Sequence, residues 1–192
     1  MAREWCAGIA VRHGLELAHV VGAAAALSPQ VSWLDQCRYF PGFVESVLGG
    51  DSATLPHPGF YGNRTRAARI LCGADPLAVL GGPKVRAFHA AIMGDASAVV
   101  VDRHAAALAL GERRKDLSAL LIAEVQEAYT LAAAEVAIAP RELQALLWCV
   151  HKARGDTGAE DQLTFWSEAP ETAVGLGLAL SDEQGAPFGA AA

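Results

Sequence analysis

Val99-Val100-Val101 is the one place where this chain sets three β-branched residues in a row; elsewhere alanine dominates its apolar segments. β-branched residues fit strands, and alanine is the strongest helix former. A sheet therefore has almost nothing to be built from. The chain is expected to be all-α, with one short extended segment at 99–101. At 53% hydrophobic and 19% charged over 192 residues, it holds enough apolar material for a real core and is unlike a disordered chain. One domain with a tail fits that length.

Punctuation residues divide the chain into helices. Leu15 to Leu27 reads as an apolar helix ended by Ser28-Pro29. A second starts near Ser32, a favoured N-cap, and Pro41-Gly42 is expected to bend or break it. Residues 50–60, GDSATLPHPGF, read as a turn-rich loop. Gly62 to Gly73 reads as a basic helix with Ala67, Ala68, Leu71 and Cys72 inward. Asp75-Pro76 starts a short turn of helix to Leu80. Pro83 suits the first position of a helix running to Met93 and stopping at Gly94. Asp102 to Leu110 follows, with Gly111 as its stop. Asp116 is expected to cap a helix from Leu117 to Val136. Pro140 opens another to about Lys152, its apolar face formed by Leu143, Leu146, Leu147 and Val150. Residues 1–154 form the expected domain. Residues 155–192, rich in Gly, Ala, Pro and acids, read as a C-terminal extension, partly docked through Phe165 and Trp166.

Several classes are set aside. No run reaches the eighteen or so apolar residues of a membrane span, and MAREWCAG lacks the apolar stretch of a signal peptide. Cys6, Cys37, Cys72 and Cys149 are scattered, with no C-x-x-C, so no metal site is expected and free thiols fit a reducing cytoplasm. The net charge of −6 argues against a polyanionic partner, but its distribution does not. Between Gly62 and Lys115 nine basic residues face four acids, a segment at +5 that leaves −11 for the rest. The middle of the chain suits a polyanion, although an ordinary solvated face has the same composition.

The stretch GGPKVRAFHAAIMGDASAVVVDRHA, residues 81–105, carries the chemistry. Gly81-Gly82 let backbone approach a ligand closely. The helix N-terminus that follows favours an anion such as phosphate. Lys84 sits in the first turn of that helix, and the chain returns through the valines to Asp102. Two helices in antiparallel contact would bring Lys84 and Asp102 to one mouth. The plain reading of Asp102 is a helix cap, and that of Lys84 a solvated or phosphate-binding lysine.

This arrangement resembles the helix-hairpin-helix DNA glycosylase superfamily, which includes endonuclease III and the 8-oxoguanine glycosylases. That family has a Gly-containing hairpin, a lysine after it in bifunctional members, a helix, then a V-D-x-H-like segment. Here the last part reads Val101-Asp102-Arg103-His104. Ala26-Leu27-Ser28-Pro29-Gln30-Val31-Ser32 looks like the family's L-S-x-Q-x-x-D/S segment. Gly59-Phe60-Tyr61-Gly62-Asn63-Arg64-Thr65-Arg66-Ala67 looks like its G-[FY]-[YR]-x-x-K-A segment. The four segments come in family order across about residues 15–150. The hairpin is shorter than the usual L-P-G-V-G-x-K, and the iron–sulfur cysteines of the endonuclease III branch are absent. The resemblance therefore implies no cofactor.

What the resemblance implies is excision of a damaged or modified base from double-stranded DNA, by a cytoplasmic enzyme that would be nucleoid-associated in a bacterium. Asp102 would stabilise positive charge on the sugar. Lys84 would attack as a neutral amine, form a Schiff base and nick the strand. Gln30, Asn63, Arg64, Arg66, Gly81, Gly82, Arg86, Arg103 and His104 would contact DNA. Ser28, Trp33, Tyr61 and Trp148 would line the pocket or wedge that accommodates an extruded base, although each aromatic also suits an ordinary core. The rivals are a non-catalytic DNA-binding module of the same fold and a helical protein–protein interaction domain.

Overall fold

The computed structural model describes residues 2–50, 57–112, 114 and 116–155, with side chains described up to 150. Among them all regular structure is helical and no strand forms. The proposed extension with Phe165 and Trp166 lies outside the described residues beyond Gly155. In chain order the helices are α1 (Ala2–His13), α2 (Leu17–Leu27), α3 (Trp33–Leu48), α4 (Tyr61–Leu71), α5 (Pro76–Val79), α6 (Pro83–Met93), α7 (Arg103–Leu110), α8 (Ala119–Glu135) and α9 (Pro140–Gly155).

α2 organises the first half. It is apolar on every side, and every residue from Val20 to Leu27 is buried, as expected of a helix enclosed by others. α1, α3, α4, α5 and α6 all pack on it. α1 is a helix that the sequence pattern does not announce. Its buried residues are Ala2, Cys6, Ile9 and Ala10, with half-buried Trp5 packed on Trp33 and Phe40, and Arg3, Glu4, Gly8 and Arg12 dilute the pattern. Gly14, at φ +64°, ends it and separates it from α2.

Pro41 does not break α3, which runs through it from Trp33 to Leu48. A proline inside a helix costs about 3 kcal/mol. Burying a large apolar side chain returns about 1.5–3 kcal/mol each. Phe40, Phe43 and Val44, all fully buried beside the proline, outweigh its cost.

Gly22 is where α2, α4 and α5 meet. A Cβ there would lie 2.7 Å from Pro76 Cβ, 3.0 Å from Pro76 Cγ and 3.2 Å from Ile70 Cγ2. Alanine would gain about 1 kcal/mol of helix propensity, but overpacking costs about 1–3 kcal/mol. The pyrrolidine ring is stiff, so the larger cost applies. Gly22→Ala is expected to lower stability by about 1–2 kcal/mol, seen as a lower urea midpoint at unchanged slope. A raised midpoint would mean that α5 yields without cost.

The second half is a smaller cluster. Val99, Val101, Ala105 and Ala106 pack with Val125 and Tyr129 of α8. Ala91 of α6 with Ala98 and Val100 forms a joint between the two halves. Asp116 does not cap α8. Ser118 does, its hydroxyl accepting from Leu121 N, and the helix starts two residues later than its expected Leu117. The inward faces also shift. On α4 Ile70 is buried where Cys72 is exposed, and on α9 Gln144, Ala145 and Leu146 are buried while Leu147 is 37% exposed.

Candidate functional site

Lys84 and Asp102 are brought together at the joint. Gly82 is the N-cap of α6 at φ +79°, ψ 148°, a conformation open to little but glycine. A Cβ on either Gly81 or Gly82 would meet nothing within 4 Å, so this backbone borders open space. Arg86, expected at DNA, donates from Nε to Leu80 O at 3.0 Å and so fastens the turn. Lys84 follows Pro83 in the first turn of α6.

Asp102 is the N-cap of α7. Its Oδ1 accepts from His104 N and Ala105 N, each at 2.9 Å. Its Oδ2 lies 3.9 Å from Lys84 Nζ, with the Lys84 and Asp102 side chains 48% and 27% exposed. One oxygen is occupied by the helix and the other faces the lysine, so the cap and the pair coexist. A pair this exposed stabilises a fold by about 0–1 kcal/mol. Stability alone is a weak reason for it.

The wall behind Asp102 is built from groups that the sequence does not single out. Tyr129 donates to Ala105 O at 3.3 Å. Burial, and then the charge of Asp102, push its hydroxyl up to about 12, so it stays a neutral donor. Gln144 and Gln126 hold the extended valines by their backbone. The one sequence cue to Gln144 is an amide set among the leucines of α9.

The remaining predicted residues fall in several places. Gln30 is exposed at the turn between α2 and α3, at φ +62°, a strained value for a side chain other than glycine. Ser28 ends α2, and its hydroxyl donates to Ala25 O at 2.9 Å. Trp33 stands edge-on to Trp5 at 5.1 Å, packed against the main core. Tyr61 is 76% exposed at the start of α4, beside Phe60 at 57%. The Arg64 guanidinium lies 5.9 Å from the Tyr61 ring centre. Arg66 donates to Asn63 Oδ1 at 3.1 Å. Arg103 is exposed, His104 and Trp148 half-buried. Arg113 and Lys115 of the basic segment lie outside the described residues, and Arg114 pairs with Glu112.

A buried polar chain supports the Tyr61 end. Gln36 Nε2 donates to Ala24 O at 2.7 Å, His57 Nε2 and Gln36 Oε1 are 2.8 Å apart, and Gly59 N donates to His57 Nδ1 at 3.1 Å. Nδ1 must accept from the amide, so the proton sits on Nε2 and points at Gln36. Burial, with help from the Arg64 charge and against that of Asp35, pushes His57 down to about 4.

Among the described residues no helix is long and apolar enough to cross a membrane. No curated protein and no solved structure matches the chain. The profile of a family of unknown function, DUF7178, matches residues 1–156, and the chain belongs to that family.

Proposed function

We propose that the protein is a helix-hairpin-helix DNA glycosylase that removes a damaged or modified base from duplex DNA and nicks the strand as a lyase. The observation that carries this reading is the Lys84–Asp102 pair, at 3.9 Å, beside an open Gly-Gly turn. An amine and a carboxylate at one accessible mouth are the two groups such chemistry needs.

The roles follow from the bond that breaks. As the C1′–N bond lengthens, its electron pair leaves with the base, which takes up a proton, and positive charge builds on the sugar. Asp102 Oδ2 stabilises that charge, most strongly once bound DNA excludes water. Lys84 attacks C1′ as the neutral amine, its ammonium proton having passed to water, so that Asp102 stays the carboxylate. Ring opening gives an imine between Nζ and C1′, and loss of a C2′ proton expels the 3′ phosphate. The Gly81-Gly82 backbone and the α6 N-terminus suit a DNA phosphate. Exposed Gln30, Phe60 and Tyr61 suit a duplex opened by base extrusion, which costs a few kcal/mol.

Borohydride trapping on duplexes carrying a panel of modified bases tests the proposal. Borohydride reduces the imine to a stable amine. A covalent adduct is expected with one substrate class and none with Lys84→Ala. Base release without trapping would leave Asp102 and water as the chemistry and reduce Lys84 to a phosphate contact. No release from any duplex would remove the reading.

A further inference from the structure

Val99, Val100 and Val101 are buried to 2%, 8% and 2% exposure in a protein whose described residues form no strand. Buried backbone groups need partners. Gln144 supplies both for Val100. Its Oε1 accepts from Val100 N at 2.8 Å, and its Nε2 donates to Val100 O. One carboxamide on α9 thus takes the place of a neighbouring strand. Gln126 Nε2 on α8 adds a bond to Val99 O at 3.2 Å.

The same helix also grips the other side of the joint. Arg141 donates from its guanidinium to Ala91 O on α6 at 2.9 Å, and from its backbone N to Ala96 O at 3.2 Å. α6 carries Lys84, and the valine segment ends on Asp102. Both members of the pair are therefore referred to α9 through Arg141 and Gln144, which stand about one helical turn apart on that single element.

We infer that Gln144 is a positioning residue for the candidate site: by fixing Val100 it sets the separation between Asp102, two residues further on, and Lys84. The catalytic consequence rests on the glycosylase reading, whereas the geometric one does not. A Gln144 that only fills the core would change stability and leave the Lys84–Asp102 contact as it is.

The full chain has three lysines, Lys84, Lys115 and Lys152. Reductive ¹³C-methylation gives each a resolvable NMR signal and keeps its charge, and Lys84→Arg identifies the signal of Lys84. In the otherwise unaltered protein, Asp102→Asn is expected to displace that signal. In a Gln144→Met background, of similar length but without hydrogen bonds, the displacement should fall at least about threefold, the coupling being read as a double-mutant cycle. Gln126→Met removes a single bond and should give a smaller fall; it decides the matter if Gln144→Met does not fold. An undiminished displacement in folded protein overturns the inference. On any duplex that the wild type traps, Gln144→Met should slow single-turnover base release about a hundredfold at unchanged duplex affinity. If the wild type traps none, the glycosylase reading falls and the NMR displacement still decides the role of Gln144.

Discussion

On the glycosylase reading, Asp102→Asn lowers single-turnover base release about a thousandfold and leaves the fold almost as stable as before. The substitution separates the two roles of this residue. Asparagine caps a helix about as well as aspartate, so its side-chain oxygen continues to accept from His104 N and Ala105 N. What disappears is the negative charge 3.9 Å from Lys84 Nζ. For stability that charge matters little, because a half-exposed pair contributes about 0–1 kcal/mol. For the reaction it matters much more. A thousandfold is about 4 kcal/mol of transition-state stabilisation, within reach of a carboxylate acting in a water-excluded complex. Base release and urea unfolding measured on the same preparation give both numbers. A rate within about tenfold of wild type would show that Asp102 only caps α7. A matching loss of stability would mean that the slower rate reports damage to the fold.

Much of this architecture is legible in the sequence because its helices are punctuated. Gly82-Pro83 and Gly94 bound α6, and Asp102 and Gly111 bound α7, each through a residue whose backbone preference leaves little choice. Where local preference and packing disagree, the sequence misleads. Pro41 signals a break, yet three buried neighbours hold α3 together. Asp116 and Ser118 are both good caps, and only the path of the chain selects Ser118. α1 goes unseen because its few apolar residues are scattered among charged ones and glycine, and it docks largely through Trp5 on rings that lie far along the chain. The meeting of Lys84 and Asp102 can be anticipated from a turn, a helix and a return. The groups that fix it cannot. Gln126 and Gln144 act on valines 27 and 44 residues away, and an amide's reach across the fold has no local signature.

The loop before α4 provides the last large effect, through His57. This imidazole is buried at 5% exposure between Gln36 and Gly59, and it is held there as the neutral ring. Protonation would put a second N–H against the Gly59 amide, two donors facing each other. The unfolded chain takes up that proton near the ordinary value of 6.5, whereas the folded one resists until about 4. Between those values the unfolded state binds more protons, so stability falls as the pH drops and is fully present above 6.5. Each tenfold difference in proton affinity between the two states is worth about 1.4 kcal/mol, so the loss amounts to about 3 kcal/mol. Carboxylates lose their own contributions at lower pH, and His89 is shifted the same way by burial, so the wild-type curve alone does not isolate His57. The comparison with His57→Leu does. At a pH of about 7.5 the variant should be less stable by about 2–3 kcal/mol, because Gln36 Oε1 and Gly59 N lose their buried partner. Urea titrations at descending pH should show that gap closing as the wild type nears about pH 4, where the intact histidine has surrendered its advantage. A gap that stays constant with pH would mean that His57 contributes packing alone and that its proton is taken up without disturbing Gln36 and Gly59.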